Sequence, residues 1–211
     1  MKITLIGATG TVGQRILKEA LQRGHQVTAL VRDASKLKPE PGLKLVQGDL
    51  FDADTVAAAS RGSEAVLSSY GPPPDQTETL IEATRALLQG VRQAGVQRFL
   101  MVGGAGSLLV APGLKLVDAE VFPEAYKPIA RAHEQALEIL YREASDLDWA
   151  NLSPAALIEP GERTTRFRLG LDQLITDAQG NSRITAEDFA IAFLDELEQP
   201  RHHRQRFTLA Y

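Results

Sequence analysis

The sequence predicts an α/β fold in which helices flank a doubly wound, mostly parallel sheet. Three observations carry that expectation. Short apolar runs alternate with stretches of helical periodicity along the chain, the first run opens at once into the glycine-rich stretch GATGTVG, and another apolar run follows the helix behind it. Strand, glycine turn, helix and strand in that order make a βαβ unit.

The first strand holds Ile3, Leu5 and Ile6, a run too brief for a buried helix. Val12, Ile16, Leu17, Ala20 and Leu21 then recur at helical spacing until Gly24, so the glycines sit between a strand's carboxyl end and a helix's amino end. The first N–H groups of a helix lack intrahelical partners and its dipole favours negative charge, while absent Cβ atoms let a diphosphate approach the backbone. Gly7, Thr9, Gly10, Thr11, Val12 and Gly13 are therefore the expected cradle of a dinucleotide, in a Rossmann-type context. The competing reading is that these glycines serve only tight packing of strand against helix.

The second strand, His25 to Val31, ends at Arg32-Asp33, where such folds meet the adenosine ribose. An acidic residue there accepts from the 2′-hydroxyl of NAD, and an arginine accommodates the 2′-phosphate of NADP. Arg32 stands first, with Lys36 and Lys38 close behind, so NADP(H) is the preferred cofactor and NAD(H) the alternative. A third strand, Leu43 to Val46, leads to Gly48-Asp49-Leu50, and Asp52 or Asp54 caps a short helix ending at Gly62. The fourth strand, Ala65 to Ser68, runs into Ser68, Ser69, Tyr70, Gly71 and three prolines. Small residues there leave room beside the nicotinamide ribose, since ligands lie at the carboxyl edge of open parallel sheets. Asp75 is expected to cap the long helix that closes at Gly95.

Gln97 to Val102 is the fifth strand and opens into Gly103, Gly104, Ala105, Gly106 and Ser107, so Val102, Gly103 and Gly104 are expected near the cofactor. Ile129, Ala132, His133, Ala136 and Leu140 share one face of the next helix, where a lone histidine is more often packed than catalytic. Asp146 to Ser153 is the sixth strand, followed by Pro154, Ala155 and Ala156. Residues 155 to 185, with a hairpin-like segment from Asp172, are expected to form a small lid region. Thr185 and Asp188 have capping-box spacing at a helix that Pro200 stops, and Arg206 to Tyr211 reads as the last strand. His202 and His203 read as a solvated loop.

At 211 residues the chain suits one domain, residues 1 to 211. The net charge of −4 gives no reason to expect nucleic acid or an anionic membrane as partner, and with no cysteine or clustered ligands no metal site is expected. No apolar run approaches the roughly 20 residues of a spanning helix, and no signal peptide precedes the first strand, so the expectation is a cytoplasmic monomer or homodimer.

Taken together, GATGTVG, VRD, GDL, SSYGPPP, VGGAGS, WANLSPAAL and NSRITAEDFA resemble the NmrA-like, atypical short-chain dehydrogenase/reductases, the NAD(P)H-binding group that includes NADH-flavin reductases and is similar to the biliverdin reductase B lineage. The resemblance spans nearly the whole chain. It implies that Asp49 and Leu50 line the adenine, that a proline-led turn at Pro154, Ala155 and Ala156 passes over the nicotinamide, and that a serine after the fifth strand meets a substrate carbonyl. Ser107 is the only hydroxyl there, in uncertain register. The group's Tyr-x-x-x-Lys pair is missing: Tyr126 is followed by Lys127, and Ala130 stands where the lysine belongs. Tyr126, Ser107 and His133 remain the catalytic candidates. The resemblance implies hydride transfer from the nicotinamide to a flavin, as substrate, or to a quinone or similar planar acceptor. Two alternatives stand beside it: an NmrA-like dinucleotide sensor without turnover, and a sugar-nucleotide epimerase or dehydratase.

Overall fold

The computed structural model describes all 211 residues, with a central eight-stranded sheet between two helical layers. The chain runs through β1 (Lys2–Ile6), α1 (Thr11–Gln22), β2 (Gln26–Val31), β3 (Leu43–Gln47), α2 (Ala53–Ser60), β4 (Ala65–Ser68), α3 (Thr79–Gln93) and β5 (Arg98–Val102). A small hairpin, β6 (Leu109–Ala111) and β7 (Leu114–Lys115), precedes α4 (Lys127–Glu143) and β8 (Asp148–Ser153). The remainder comprises β9 (Leu157–Glu159), β10 (Arg168–Gly170), β11 (Arg183–Thr185), α5 (Ala186–Glu198) and β12 (Gln205–Ala210).

Sheet order is β10-β12-β8-β5-β4-β1-β2-β3, parallel throughout except for the edge strand β10. The order reverses between β1 and β4, which run side by side in register from Ile3 opposite Ala65 to Ile6 opposite Ser68. A reversal of this kind opens a crevice at the carboxyl edge. The central strands are apolar on both faces because both are covered. Leu5, Leu67, Leu100 and Ala150 pack under α1 and α5, while Val66, Phe99, Met101 and Trp149 pack under α2, α3 and α4. Each large side chain buried this way contributes roughly 1.5–3 kcal/mol.

Three local expectations are corrected. Helix α3 begins at Thr79 with Glu78 in the cap position and no side-chain cap, so Asp75 caps nothing; successive turns such as Gln76 N–H to Pro73 O absorb the segment after the prolines. The stretch from Asp172 is no hairpin: β10 pairs antiparallel with β12, and β11 pairs parallel with β9. His202 and His203 are not simply solvated. His202 Nδ1 lies 2.8 Å from Glu196 Oε2 with its ring stacked on Phe207, and His203 Nδ1 lies 2.8 Å from Asp148 Oδ1.

Thr185 caps α5 as the spacing predicts, accepting from Asp188 N–H at 3.2 Å. The fully buried Asp188 carboxylate instead accepts from the Tyr211 hydroxyl at 2.8 Å, from Thr165 N–H at 2.9 Å and from the Thr164 hydroxyl. Residues 161 to 166 are thus strapped over α5, and Thr165 is held at φ +63°, a left-handed conformation that a β-branched residue adopts only under restraint. Arg163 carries the strap to α1 by donating to Glu19. Burial alone would raise the Glu19 carboxyl, but hydrogen bonds from Arg163 and Arg23 outweigh it and hold the group below its usual range. No helix is long and apolar enough to cross a membrane.

Candidate dinucleotide site

The glycine turn folds back on the end of β4, and its three glycines have different reasons to be there. Gly7 has φ +82°, and a Cβ on it would lie 2.6 Å from the backbone of Ser69. A Cβ on Gly13 would lie 2.0 Å from Gly7 O and 2.6 Å from Ser69 Oγ. Those two positions must be bare for α1 to sit against the strand ends. Gly10 differs: its φ of −79° and ψ of 170° suit any residue, and a Cβ would meet nothing nearer than Gly7 O at 3.5 Å.

Gly10 is also the N-cap of α1 and supplies no side-chain acceptor, and the first turn holds no acidic residue. The leading N–H groups of α1 therefore have no partner from the protein, and the hydroxyls of the flanking Thr9 and Thr11 make no hydrogen bond within it. Gln14 Nε2 secures the turn by donating to Thr9 O at 2.9 Å, and Val12 packs inward against the core beneath α1. A bare helix terminus beside a backbone cradle fits the diphosphate of a dinucleotide.

At the end expected to meet the adenosine, Arg32 is exposed and joined to no acid, whereas Asp33 Oδ1 accepts from Ser35 N–H at 3.0 Å and from Ser35 Oγ at 2.6 Å. Asp49 Oδ1 accepts from Phe51 N–H at 3.0 Å in a local turn, and Leu50 is buried in the core beside α2. Asp52 is the residue that caps α2. Tyr70 stacks edge-on against Phe51 with centroids 5.9 Å apart and shares a 3.1 Å hydrogen bond with Thr79, fixing the wall after β4. Ser69 Oγ donates to Ile6 O, Ser68 is buried, and Gly71 has open space where a Cβ would go.

At the end expected to meet the nicotinamide, half-buried Val102 leads into Gly103 and Gly104, and both glycines are packed by side chains. A Cβ on Gly103 would lie 2.2 Å from Asn151 Oδ1, and one on Gly104 would lie 2.7 Å from His133 Cβ. Pro154 and Ala155 are buried, and exposed Ala156 donates its N–H to Ser182 Oγ.

None of the three catalytic candidates is hydrogen-bonded to another. Tyr126 caps α4 with 63% exposure, and Lys127 is paired with Glu124. Ser107 Oγ accepts from Arg206 Nη1 at 2.9 Å, and the same buried guanidinium holds Asp172 Oδ1 through Nε at 3.0 Å. That hydroxyl is part of a clamp joining the loop after β5 to the segment after β10. His133 lies against Gly104, and burial pushes its imidazole down to about 4, so it is neutral at pH 7. Sequence reasoning missed Arg206 and Asn151 here. The only signal was a polar residue set beside large apolar ones in a strand of the sheet, Arg206 next to Phe207 in β12 and Asn151 next to Leu152 in β8.

A parallel sheet of this order, with an uncapped helix and glycine turn at its reversal point, defines a Rossmann-type dinucleotide-binding protein. The chain belongs to the NAD(P)H-binding family, which it matches over residues 7–200. It is 53% identical to a solved Burkholderia pseudomallei protein described as a candidate exported protein, with complete coverage of both chains and a TM-score of 0.92. A Bacteroides thetaiotaomicron structure described as a candidate epimerase is 48% identical, covering all of this chain and 96% of its own, with a TM-score of 0.93. A Streptococcus pneumoniae structure described as a candidate NADH-flavin reductase is 36% identical, covering all of this chain and 99% of its own, with a TM-score of 0.88.

Proposed function

We propose that this protein is an NADPH-preferring oxidoreductase that reduces a flavin, a quinone or a similar planar acceptor. The observation that carries the cofactor preference is the contrast at the end of β2. Arg32 has no acidic partner, with Lys36 and Lys38 exposed nearby, while one oxygen of Asp33 is already committed to Ser35. A 2′-phosphate meets an available cation there; a ribose 2′-hydroxyl meets an acid engaged with its own loop.

A bound nicotinamide supplies hydride. The protein's residues hold its diphosphate at the amino end of α1, and the glycine-ended β5 and the Pro154 turn bound the space above the ring. Transfer to a stacked planar ring needs proximity and orientation more than a protein acid, since solvent protonates such acceptors. That fits a chain whose Tyr126 is exposed and whose Lys127 is paired elsewhere. The description of the Streptococcus neighbour supports the same reading. The epimerase description of the Bacteroides neighbour fits less well, because the tyrosine-lysine pair of sugar-nucleotide chemistry is missing.

The missing pair favours one second reading, a sensor that binds dinucleotide without turnover. Oxidation of NADPH in the presence of FMN or menadione separates the two. Turnover with either acceptor supports the reductase, and tight NADPH binding with no turnover supports the sensor.

A further inference from the structure

Helix α2 is eight residues long, about 12 Å, and lies on strands β1 and β3, whose five residues run about 16 Å. It covers the carboxyl halves of β1, β2 and β3 on one face, where Thr4 Oγ1 donates to Ala59 O and Ile6, Leu30 and Val46 join one apolar cluster with Val56 and Ala59. The amino ends of that face are left bare. Side chains alternate along a strand, so Lys2, Gln26, Thr28 and Lys44 belong to the same face, and the register sets Lys2 beside Gln26 and Thr28 beside Lys44. The helix stops at Arg61, and a groove of about 320 Å³ opens between its end and the three strand ends.

The charge of this groove has one sign. Lys2, Lys44 and Arg61 line it beside the neutral Gln26, Thr28 and Ser63, and no acidic or aromatic residue does. All three cations are exposed, and none makes an ion pair. The adjacent Glu64 turns its carboxylate to the backbone N–H of Lys2, at 2.7 Å. On the neighbouring helices the pattern is different: Arg15, Arg23, Arg85 and Arg92 are each held by a carboxylate. Three free cations on the walls of one groove, in a chain of net charge −4, concentrate anions at that place.

We propose that this groove binds a small anion carrying two or more phosphate groups, at a site separate from the dinucleotide crevice. Lys2 and Lys44 stand two strands apart and two positions out of register, so their Cα atoms lie about 12 Å from one another. Two phosphate groups match cations so placed better than one does. Arg61 offers a planar fork for two oxygens of one group, the lysines act as point charges, and the hydroxyls and the amide of Ser63, Thr28 and Gln26 supply neutral donors. A nucleobase finds no ring to stack on there, so the ligand is a short polyphosphate or a sugar bisphosphate rather than a nucleotide or a nucleic-acid strand. The glycine turn lies beyond the other end of β1, about 16 Å along the strand from Lys2, and the two sites can fill together. The proposal stands apart from the reductase reading.

The test is calorimetric titration of the full chain at low salt, with tripolyphosphate for an inorganic source and fructose 1,6-bisphosphate for an organic one. Saturable binding of at least one is expected, and the tighter of the two identifies the source. Lys44→Gln combined with Arg61→Gln weakens that binding by about tenfold or more, since charge-assisted contacts are lost. Both side chains are exposed, so the urea midpoint of the double variant should match the parent's. Lys2→Gln weakens the same binding and serves should the double variant fail to fold. Arg32→Ala, at the other edge of the sheet, leaves it within about twofold. Absence of binding by both anions, parent-like binding by the double variant, or a loss in Arg32→Ala as large as in the double variant overturns the site.

Discussion

Gly10→Ala separates what the glycine turn does for folding from what it does for a ligand. Gly10 has ordinary backbone angles, and the new methyl meets only Gly7 O, at a van der Waals 3.5 Å. An alanine N-cap costs about 0.5–1 kcal/mol relative to better caps, and the reduced freedom of the unfolded chain returns about 0.4–1 kcal/mol. The two nearly cancel, so stability stays within about 0.5 kcal/mol. Gly13→Ala places a methyl 2.0 Å from a carbonyl oxygen that belongs to the same rigid turn, and overpacking of that kind costs about 3 kcal/mol. Binding reverses the ranking of interest. A methyl on Gly10 projects into the space at the head of α1 and displaces a diphosphate by enough to lose one charge-assisted hydrogen bond, about 1.5–3 kcal/mol, or roughly 10- to 150-fold in Kd. Urea unfolding of each variant, with calorimetric titration of NADPH into Gly10→Ala, reads both quantities. Wild-type affinity in a folded Gly10→Ala protein would refute the placement of the diphosphate, and a loss of stability equal to that of Gly13→Ala would refute the division of roles.

Arg32→Ala should weaken NADPH by about tenfold or more and leave NADH nearly unchanged, since only the 2′-phosphate needs that guanidinium; equal losses in parallel titrations contradict the assignment. His133 gives a pH signature. Its unfolded imidazole, near 6.5, takes up a proton that the folded one, near 4, refuses, so its stabilising contribution is complete above pH 6.5 and is lost as pH falls toward 4, by up to about 3 kcal/mol. His133→Leu should flatten the urea-derived stability curve across that window, above the range where carboxylates such as Glu134 titrate. Glu196→Ala takes from the buried Arg98 guanidinium the carboxylate that holds it at 2.6 Å, leaving it Asp148 Oδ1 at 3.2 Å, and should cost about 2–3 kcal/mol in urea unfolding, with an effect under 1 kcal/mol arguing that Asp148 alone suffices to pair it. Tyr211→Phe removes one donor from Asp188 and should cost about 1–2 kcal/mol while speeding proteolysis between residues 161 and 166.

Much of this molecule is legible along the chain because its rules are local. The seven principal strands and their helices follow from apolar periodicity, and GATGTVG between a strand and a helix announces a dinucleotide without any long-range information. The loss of Tyr-x-x-x-Lys is visible by counting four residues. Tertiary structure alone decided which glycines packing requires and which it does not, because the atoms that crowd Gly7 and Gly13 include those of Ser69, roughly 50 or more residues away along the chain. It also decided that Ser107 spends its lone pair on Arg206, that Asp33 turns to its own loop while Arg32 stays unpaired, and that Asn151 and His133 meet across two glycines. Periodicity tells which face of an element is buried; it carries no record of which buried polar group finds a partner, since that depends on contacts between segments brought together only when the sheet closes.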